Sequence, residues 1–409
     1  MAEILFVAHR VPYPPDKGDK IRAFNIIRHL SRHHRVHLAA FIDDPADIEP
    51  SGELNRWCAS LHLSVMGRAA KLRRMATALL TRKALSVAVF EDPALRQWVR
   101  QRVEQGIDLA IGYSGAVAPL IDATPLIFDL VDCDSAKWQA MARDRGPLKG
   151  WIYRREAELV SGLERSIVAR AAATILVSEP EAELCRKITG GSRQRIHAVA
   201  NGVDTGMFDP DKPTSSPYGG EHRPVLVFTG VMNYPPNIEA MQWFHNRVWP
   251  ILRRHPTRPR LAIVGSAPTA AIRAFADGDD VLVTGRVPEV QPWLAHATIS
   301  IAPLQLARGI QNKVLEAMAM GLPVVATSAA AEGIDATTGE HLIIADDPEQ
   351  FNTTIGNLLD DPERVKRMGR AARQRVIERH SWGASLARLD AIIDAIRSPG
   401  RGSPTAAKM

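Results

Sequence analysis

Twice along this chain, short runs of β-branched and aliphatic residues alternate with longer stretches of helical character, and that alternation narrows the fold more than any other feature. In the first half the apolar runs are ILFVA (4–8), VHLAAFI (36–42), LHLSV (61–65), LAIGY (109–113), LIFDLV (126–131) and TILVS (174–178). Helical stretches at 20–32, 92–105 and 151–170 lie between them. Near-continuous apolar strands separated by helices belong to parallel sheets covered on both faces. The second half starts over with VLVFTG (225–230), RLAIVGS (260–266), DVLVTG (280–285), TISIAPL (298–304) and PVVATS (323–328). Between the two sets lies DPDKPTSSPYGGEHRP (209–224), crowded with Pro, Ser and Gly as a linker is.

The expected architecture is α/β, with two facing, doubly wound Rossmann-like domains at 1–208 and 209–380. A ligand cleft is expected at the carboxyl ends of their strands. A chain of 409 residues is too long for one ordinary core. The last helix, 381–397, carries Leu386, Leu389, Ile393 and Ile396 and is expected to cross back onto the first domain. The stretch 398–409, SPGRGSPTAAKM, reads as a disordered tail.

Three well-separated cysteines argue against a disulfide framework or a paired-ligand zinc site and fit a reducing compartment. The opening MAEILFVAHR reads as a first strand rather than a signal peptide, and no apolar stretch reaches the roughly 18 residues a membrane span needs. The expectation is a cytoplasmic protein, with peripheral attachment to the inner face of the membrane left open. A formal charge of +6 favours anionic partners. Helix-turn-helix, zinc-finger and basic aromatic-sheet patterns are missing, so phosphates and anionic lipid headgroups are preferred to nucleic acid.

The segment APLQLARGIQNKVLEAMAMGLPVVATS (302–328) holds the most chemistry. It reads as a strand ending at Leu304, a loop, a helix opening at Gly309 and closing at Gly321, and a strand from Pro323. Gly309 lets backbone approach a ligand, and the amides from Ile310 onward form an anion site reinforced by the helix dipole. Arg308 and Lys313 add positive charge. Helical spacing puts Gly309, Lys313, Glu316 and Met320 on one face, with Glu316 roughly 10 Å along. That matches the reach from a pyrophosphate to a ribose, whose two hydroxyls a carboxylate can accept. The same side chains also suit a solvated face on which Lys313 and Glu316 neutralise each other.

Other candidates are spread through the first half. In HRVPYPPDKGDKIRAFNIIRHL (9–30) a proline-stiffened loop leads through Gly18 into a helix near residue 19 or 20 bearing Lys20 and Arg22. His9 and Arg10 end the first strand, and no role is assigned to that histidine. FDLVDCDSAKW (128–138) gathers Asp129, Asp132 and Asp134 at a strand end without the repeat of a calcium loop. Asp134 suits a helix cap. The stretch GRAAKLRRMATALLTRKALSV (67–87) lacks acidic residues. Its stripe of Leu72, Met75, Ala76 and Leu79, with Lys71, Arg73 and Arg74 turned away, fits an anionic lipid surface or an ordinary packed helix.

These motifs resemble the retaining glycosyltransferases of family four, which have the GT-B fold. Glu316 within LEAMAMGLPVVAT matches that family's second glutamate, used on the donor ribose; NGVDTGMF (201–208) and VFTG (227–230) extend the likeness. Arg308 stands where the family has its first glutamate. Gly230-Val231 and MNYPPN (232–237) replace a Gly-Arg and a following Lys, and Asp132 stands where a histidine is expected. PPDKGDKIR-like and GIQNKVLEAMA-like stretches resemble a subgroup linked to bacterial exopolysaccharide assembly.

The resemblance implies a nucleotide-sugar donor, no metal and no separate cofactor, and a glycan or polyprenyl-linked acceptor. It places Gly18, Lys20, Arg22, Gly230, Arg286, Gly309, Ile310 and Glu316 around the donor. Arg308 and Lys313 would stabilise the leaving diphosphate, and Asp132 would touch the transferred sugar. Two alternatives stand beside it: a catalytically silent nucleotide-sugar-binding partner subunit, and a sugar-nucleotide epimerase of the same fold. Neither half contains the GxGxxG of a dinucleotide site or a paired-carboxylate hydrolase centre.

Overall fold

The structure, a computed structural model, describes residues 1–81, 83–142, 146–219, 223–307 and 310–397. The chain divides into two compact units, residues 1–200 joined by the end of the chain from Leu386, and Asn201–Ser385.

The first unit is built on a parallel sheet of β1 (Glu3–Ala8), β2 (Arg35–Ile42), β3 (Ser60–Val65), β4 (Leu109–Tyr113), β5 (Leu126–Val131), β6 (Ala173–Leu176) and β7 (Ile196–Ala198). Their spatial order is β3-β2-β1-β4-β5-β6-β7. Ile4 of the central β1 lies opposite Val36 on one side and Leu109 on the other. Both faces are covered by helices, which is why β1 and β4 are buried almost throughout. Strand order reverses between β1 and β4, and such a reversal opens a crevice at the carboxyl ends.

The second unit repeats the plan with β8 (Val225–Thr229), β9 (Arg260–Val264), β10 (Val281–Val283), β11 (Ile299–Ala302), β12 (Val324–Ala326) and β13 (Ile343–Ile344). The order is β10-β9-β8-β11-β12-β13, again parallel, with its reversal between β8 and β11. Alternation along β8 sends Val225 and Val227 to one core and Leu226 and Phe228 to the other. The helix Asn312–Ala319 closes the first core with Val314, Leu315 and Met318. Met241, Phe244 and Phe351 close the second.

Residues beyond Ala200 are stitched into this second unit. The Val203 amide donates to the His380 carbonyl (2.8 Å), Arg373 donates to the Phe208 carbonyl (2.9 Å), and the Tyr218 hydroxyl to the Trp293 carbonyl (2.6 Å). In the last helix, Trp382–Arg397, Leu386, Leu389 and Ile393 are buried, and His29 meets Asp390 at 2.8 Å. The sequence's 398–409 lies outside the described residues.

The basic stretch at 67–87 forms a helix over Arg68–Leu80 followed by a separate short helix, Leu85–Ala88. Arg74 turns inward rather than outward, donating to the Val89 carbonyl (3.0 Å) and to Asp92 (3.1 Å) beside the buried Ala78. The apolar stripe faces solvent: Leu72 is 68% and Leu79 49% exposed. Met75 is half-buried.

Candidate functional site

The second unit has a pocket of about 960 Å³ at the carboxyl ends of β8 and β9, beside the reversal of strand order. Its floor is backbone. The Gly230 amide donates to the Val264 carbonyl (3.0 Å) and the Met232 amide to the Ser266 carbonyl (2.7 Å), pressing the two strand ends together. A Cβ on Gly265 would fall on the Gly230 carbonyl oxygen, and Gly265 has φ of 149°. Only glycine leaves this floor open to a ligand.

The walls are charged. Gly230, Arg286, Ile310, Lys313 and Glu316, which the sequence separates widely, all line this one pocket. The helix carrying Lys313 and Glu316 begins at Asn312, not at Gly309. Glu316 is therefore one turn from the helix start, about 6 Å along the axis, and the expected spacing of roughly 10 Å is shortened. Met320 leaves the expected face and joins the core. Arg308 and Gly309 lie outside the described residues.

Lys313 Nζ donates to Asn237 Oδ1 at 2.6 Å and sits 4.2 Å from the centre of the Phe228 ring. Both partners are neutral, so the pocket holds a cation without cancelling its charge. The Glu316 carboxylate accepts no hydrogen bond from the described residues, leaving its oxygens open to the pocket. Desolvation pushes Lys313 down to about 7, against the pull of Glu316. It pushes Glu316 up to about 7, against the pull of Lys313. Asn237 and Phe228 were not singled out from sequence; the NYPPN stretch replacing a customary lysine was the signal that could have found Asn237. An anion beside Lys313 and Arg286 and a hydroxyl-bearing group beside Glu316 are the ligand features this arrangement accommodates.

The first unit's candidates fare differently. Gly18 opens the helix Gly18–Leu30, and open space surrounds the position of its absent Cβ. Lys20 and Arg22 were expected to face a ligand, and this is corrected: each is 1% exposed. Lys20 Nζ lies 2.8 Å from both Asp47 oxygens, and Arg22 Nε lies 2.9 Å from Asp129 Oδ2. They anchor the helix after β1 to the body of the unit, because a buried cation is tolerated only when paired. His9 stacks on Tyr113 with ring centres 5.8 Å apart and lies 3.4 Å from Asp19, which also binds Arg10.

At the end of β5, Val131 adopts φ of 66°, a strained conformation for a β-branched residue, and its amide donates to Asp129 Oδ1 (2.9 Å). The next residue, Asp132, is half-buried and paired with Lys137 at 2.7 Å. Asp134 is not the cap of the following helix but its first residue; Cys133 occupies the cap position. Among the described residues no three His, Cys, Asp or Glu side chains are grouped to hold a metal ion.

Residues 223–361 match the sequence profile of the family described as "Glycosyl transferases group 1". The alpha-maltose-1-phosphate synthase of Mycolicibacterium smegmatis is 28% identical over 272 residues, 58% of this chain and 67% of that protein. A GDP-mannose-dependent alpha-(1-6)-phosphatidylinositol monomannoside mannosyltransferase of the same organism is 30% identical over 227 residues, 51% of this chain and 58% of that one. The chain therefore matches between about three fifths and two thirds of these relatives' own lengths. Anabaena HepE, solved in complex with UDP, superposes with a TM-score of 0.65 over 96% of this chain and 100% of its own, at 14% identity. That likeness speaks for the fold alone. Residues 223–361 are thus similar in sequence to the group 1 glycosyl transferases, and the chain's two Rossmann-like units share the GT-B fold of such enzymes.

Proposed function

We propose that the protein is a retaining, metal-independent glycosyltransferase that moves a sugar from a nucleotide-sugar donor to a glycan or lipid-linked acceptor in exopolysaccharide assembly. The observation that carries this reading is the pocket at β8 and β9, where a glycine floor, the Lys313 ammonium and the open Glu316 carboxylate lie together. A diphosphate would rest against Lys313, Arg286 and the Asn312 and Lys313 amides that open the helix Asn312–Ala319, the Val314 and Leu315 amides being already bonded to the Gln311 carbonyl. Glu316 would accept the ribose hydroxyls. Fixed positive charge at the leaving diphosphate lowers the barrier because charge develops there as the glycosidic bond breaks. In a retaining reaction the departing phosphate oxygen can take the acceptor's proton on the same face, so no separate base is required.

The name of one relative supports a nucleotide-sugar donor, since it is described as GDP-mannose-dependent. The outward apolar stripe of Arg68–Leu80, flanked by Lys71 and Arg73, supports a lipid-linked acceptor reached at an anionic membrane surface. No helix among the described residues is long and apolar enough to cross a membrane.

The test is transfer itself. The purified protein is incubated with labelled nucleotide sugars and short polyprenyl-diphosphate-linked glycans, and the product's anomeric configuration is read by NMR. Transfer with retention is expected. Donor binding without any transfer would favour the silent partner subunit, and an epimerised donor would favour the epimerase.

A further inference from the structure

The pocket contains a cation in an unusual setting, and the residue that sets it is uncharged and distant from it in sequence. The loop after β8 carries Val231, Met232 and Asn233 and offers no cation. The helix that follows, Pro235–Arg247, begins with two prolines, which have no N–H, and its next amide, that of Asn237, donates to the Tyr234 carbonyl (2.9 Å). Unlike most helix starts, this one turns no free amide toward an anion through those three positions. Positive charge must come from elsewhere, and Lys313 reaches in from the helix Asn312–Ala319. Its Nζ lies about 3 Å from where a Cβ on Gly230 would sit.

Asn237 meets that ammonium. It is 5% exposed, and its two ends are committed. Nδ2 donates to the Val231 carbonyl (2.9 Å), so Oδ1 is the end that faces Lys313 Nζ at 2.6 Å. One amide thus ties the β8 loop to the lysine. An aspartate there would pair with the ammonium and cancel its charge, and an aliphatic residue would leave a half-buried ammonium with one acceptor fewer.

Resting on the donor-pocket reading above, we infer that Asn237 is the positioning residue of this site, holding the Lys313 ammonium beside Gly230 as the anion receptor the β8 loop does not itself provide. It acts through Lys313 and does not touch the reacting atoms. Glu316 faces Lys313 from its own helix, Phe228 packs on it from β8, and Tyr234 and Arg286 line the same pocket from neighbouring segments.

The test follows the lysine directly. The Lys313 ¹³Cε resonance, assigned by its loss in Lys313→Met, is titrated in the free wild-type protein, in Asn237→Ala and in Asn237→Asp. Affinity for UDP, GDP and ADP is measured across the same pH range. The Lys313 midpoint should fall in Asn237→Ala and rise in Asn237→Asp, and both should weaken diphosphate binding by about 10- to 100-fold. In the Lys313→Met background, Asn237→Ala should cost little more. Equal weakening with an unmoved Lys313 midpoint, or losses that add fully in the double variant, would overturn the inference. The midpoint shifts do not depend on any nucleotide. If they appear but no diphosphate binds, the donor reading fails while the Asn237–Lys313 coupling stands.

Discussion

Binding of a nucleotide sugar to this pocket should take up protons above neutrality and release them below it. Burial holds both Lys313 and Glu316 near 7 in the free protein. Near pH 8, Lys313 is then only about one-tenth protonated, so holding a diphosphate against a charged ammonium draws in about 0.9 proton. Glu316 is by then about nine-tenths ionised, so ribose hydroxyls that favour its anion expel only about 0.1, for a net uptake of about 0.8. Near pH 6 the two roles exchange, and the same arithmetic gives a net release of about 0.8. Because uptake makes affinity fall with rising pH and release makes it rise, affinity should peak near neutrality. A sugar diphosphate diester has no proton of its own to lose in this range, so the ligand does not confuse the count. Calorimetry in buffers of different ionisation enthalpy measures the protons directly. Lys313→Met should abolish the uptake limb and Glu316→Gln the release limb. A proton count that stays constant across this range, or uptake that survives Lys313→Met, would refute the reasoning.

Three other outcomes follow from named contacts. Gly265→Ala places a Cβ on the Gly230 carbonyl at a backbone angle unsuited to it; it should cost about 2–4 kcal/mol in urea unfolding and lose donor affinity as well. Arg22→Met should destabilise by about 3–5 kcal/mol, because it leaves Asp129 buried without its partner, and Arg22→Met with Asp129→Leu should recover most of that loss in the same unfolding assay. Leu72→Glu with Leu79→Glu should abolish co-sedimentation with phosphatidylglycerol vesicles while leaving Tm unchanged, since both side chains are solvent-exposed.

The sheets were legible because their strands are buried on both faces: ILFVA and VLVFTG leave little alternative to central parallel strands. Ile196–Ala198 and Ile343–Ile344 escaped notice since two or three residues at a sheet edge carry no periodicity. In the pocket, Lys313 and Glu316 could be named in advance because helix spacing and motif resemblance both point at them, and Gly230 and Arg286 from the resemblance alone. Asn237 was not, although it ends the NYPPN stretch, since its role depends on Lys313, distant in sequence and met only in the fold. Lys20 and Arg22 show the opposite failure. A basic residue beside a glycine loop looks ready for phosphate, and the sequence does not reveal that Asp47 and Asp129 wait beneath them. For the helix Arg68–Leu80 the stripe was evident, yet which face packs inward was decided by Asp92 drawing Arg74 under the helix.

The central claim is that the pocket at β8 and β9 holds a nucleotide sugar. Ligand-detected NMR with UDP-, GDP-, ADP- and dTDP-sugars, run on wild type and on Glu316→Ala, tests it most directly. Selective binding of one nucleotide class, weakened by about 10-fold or more in the variant, is the predicted result. Binding that is indifferent to Glu316, or no binding by any of the four, would contradict it.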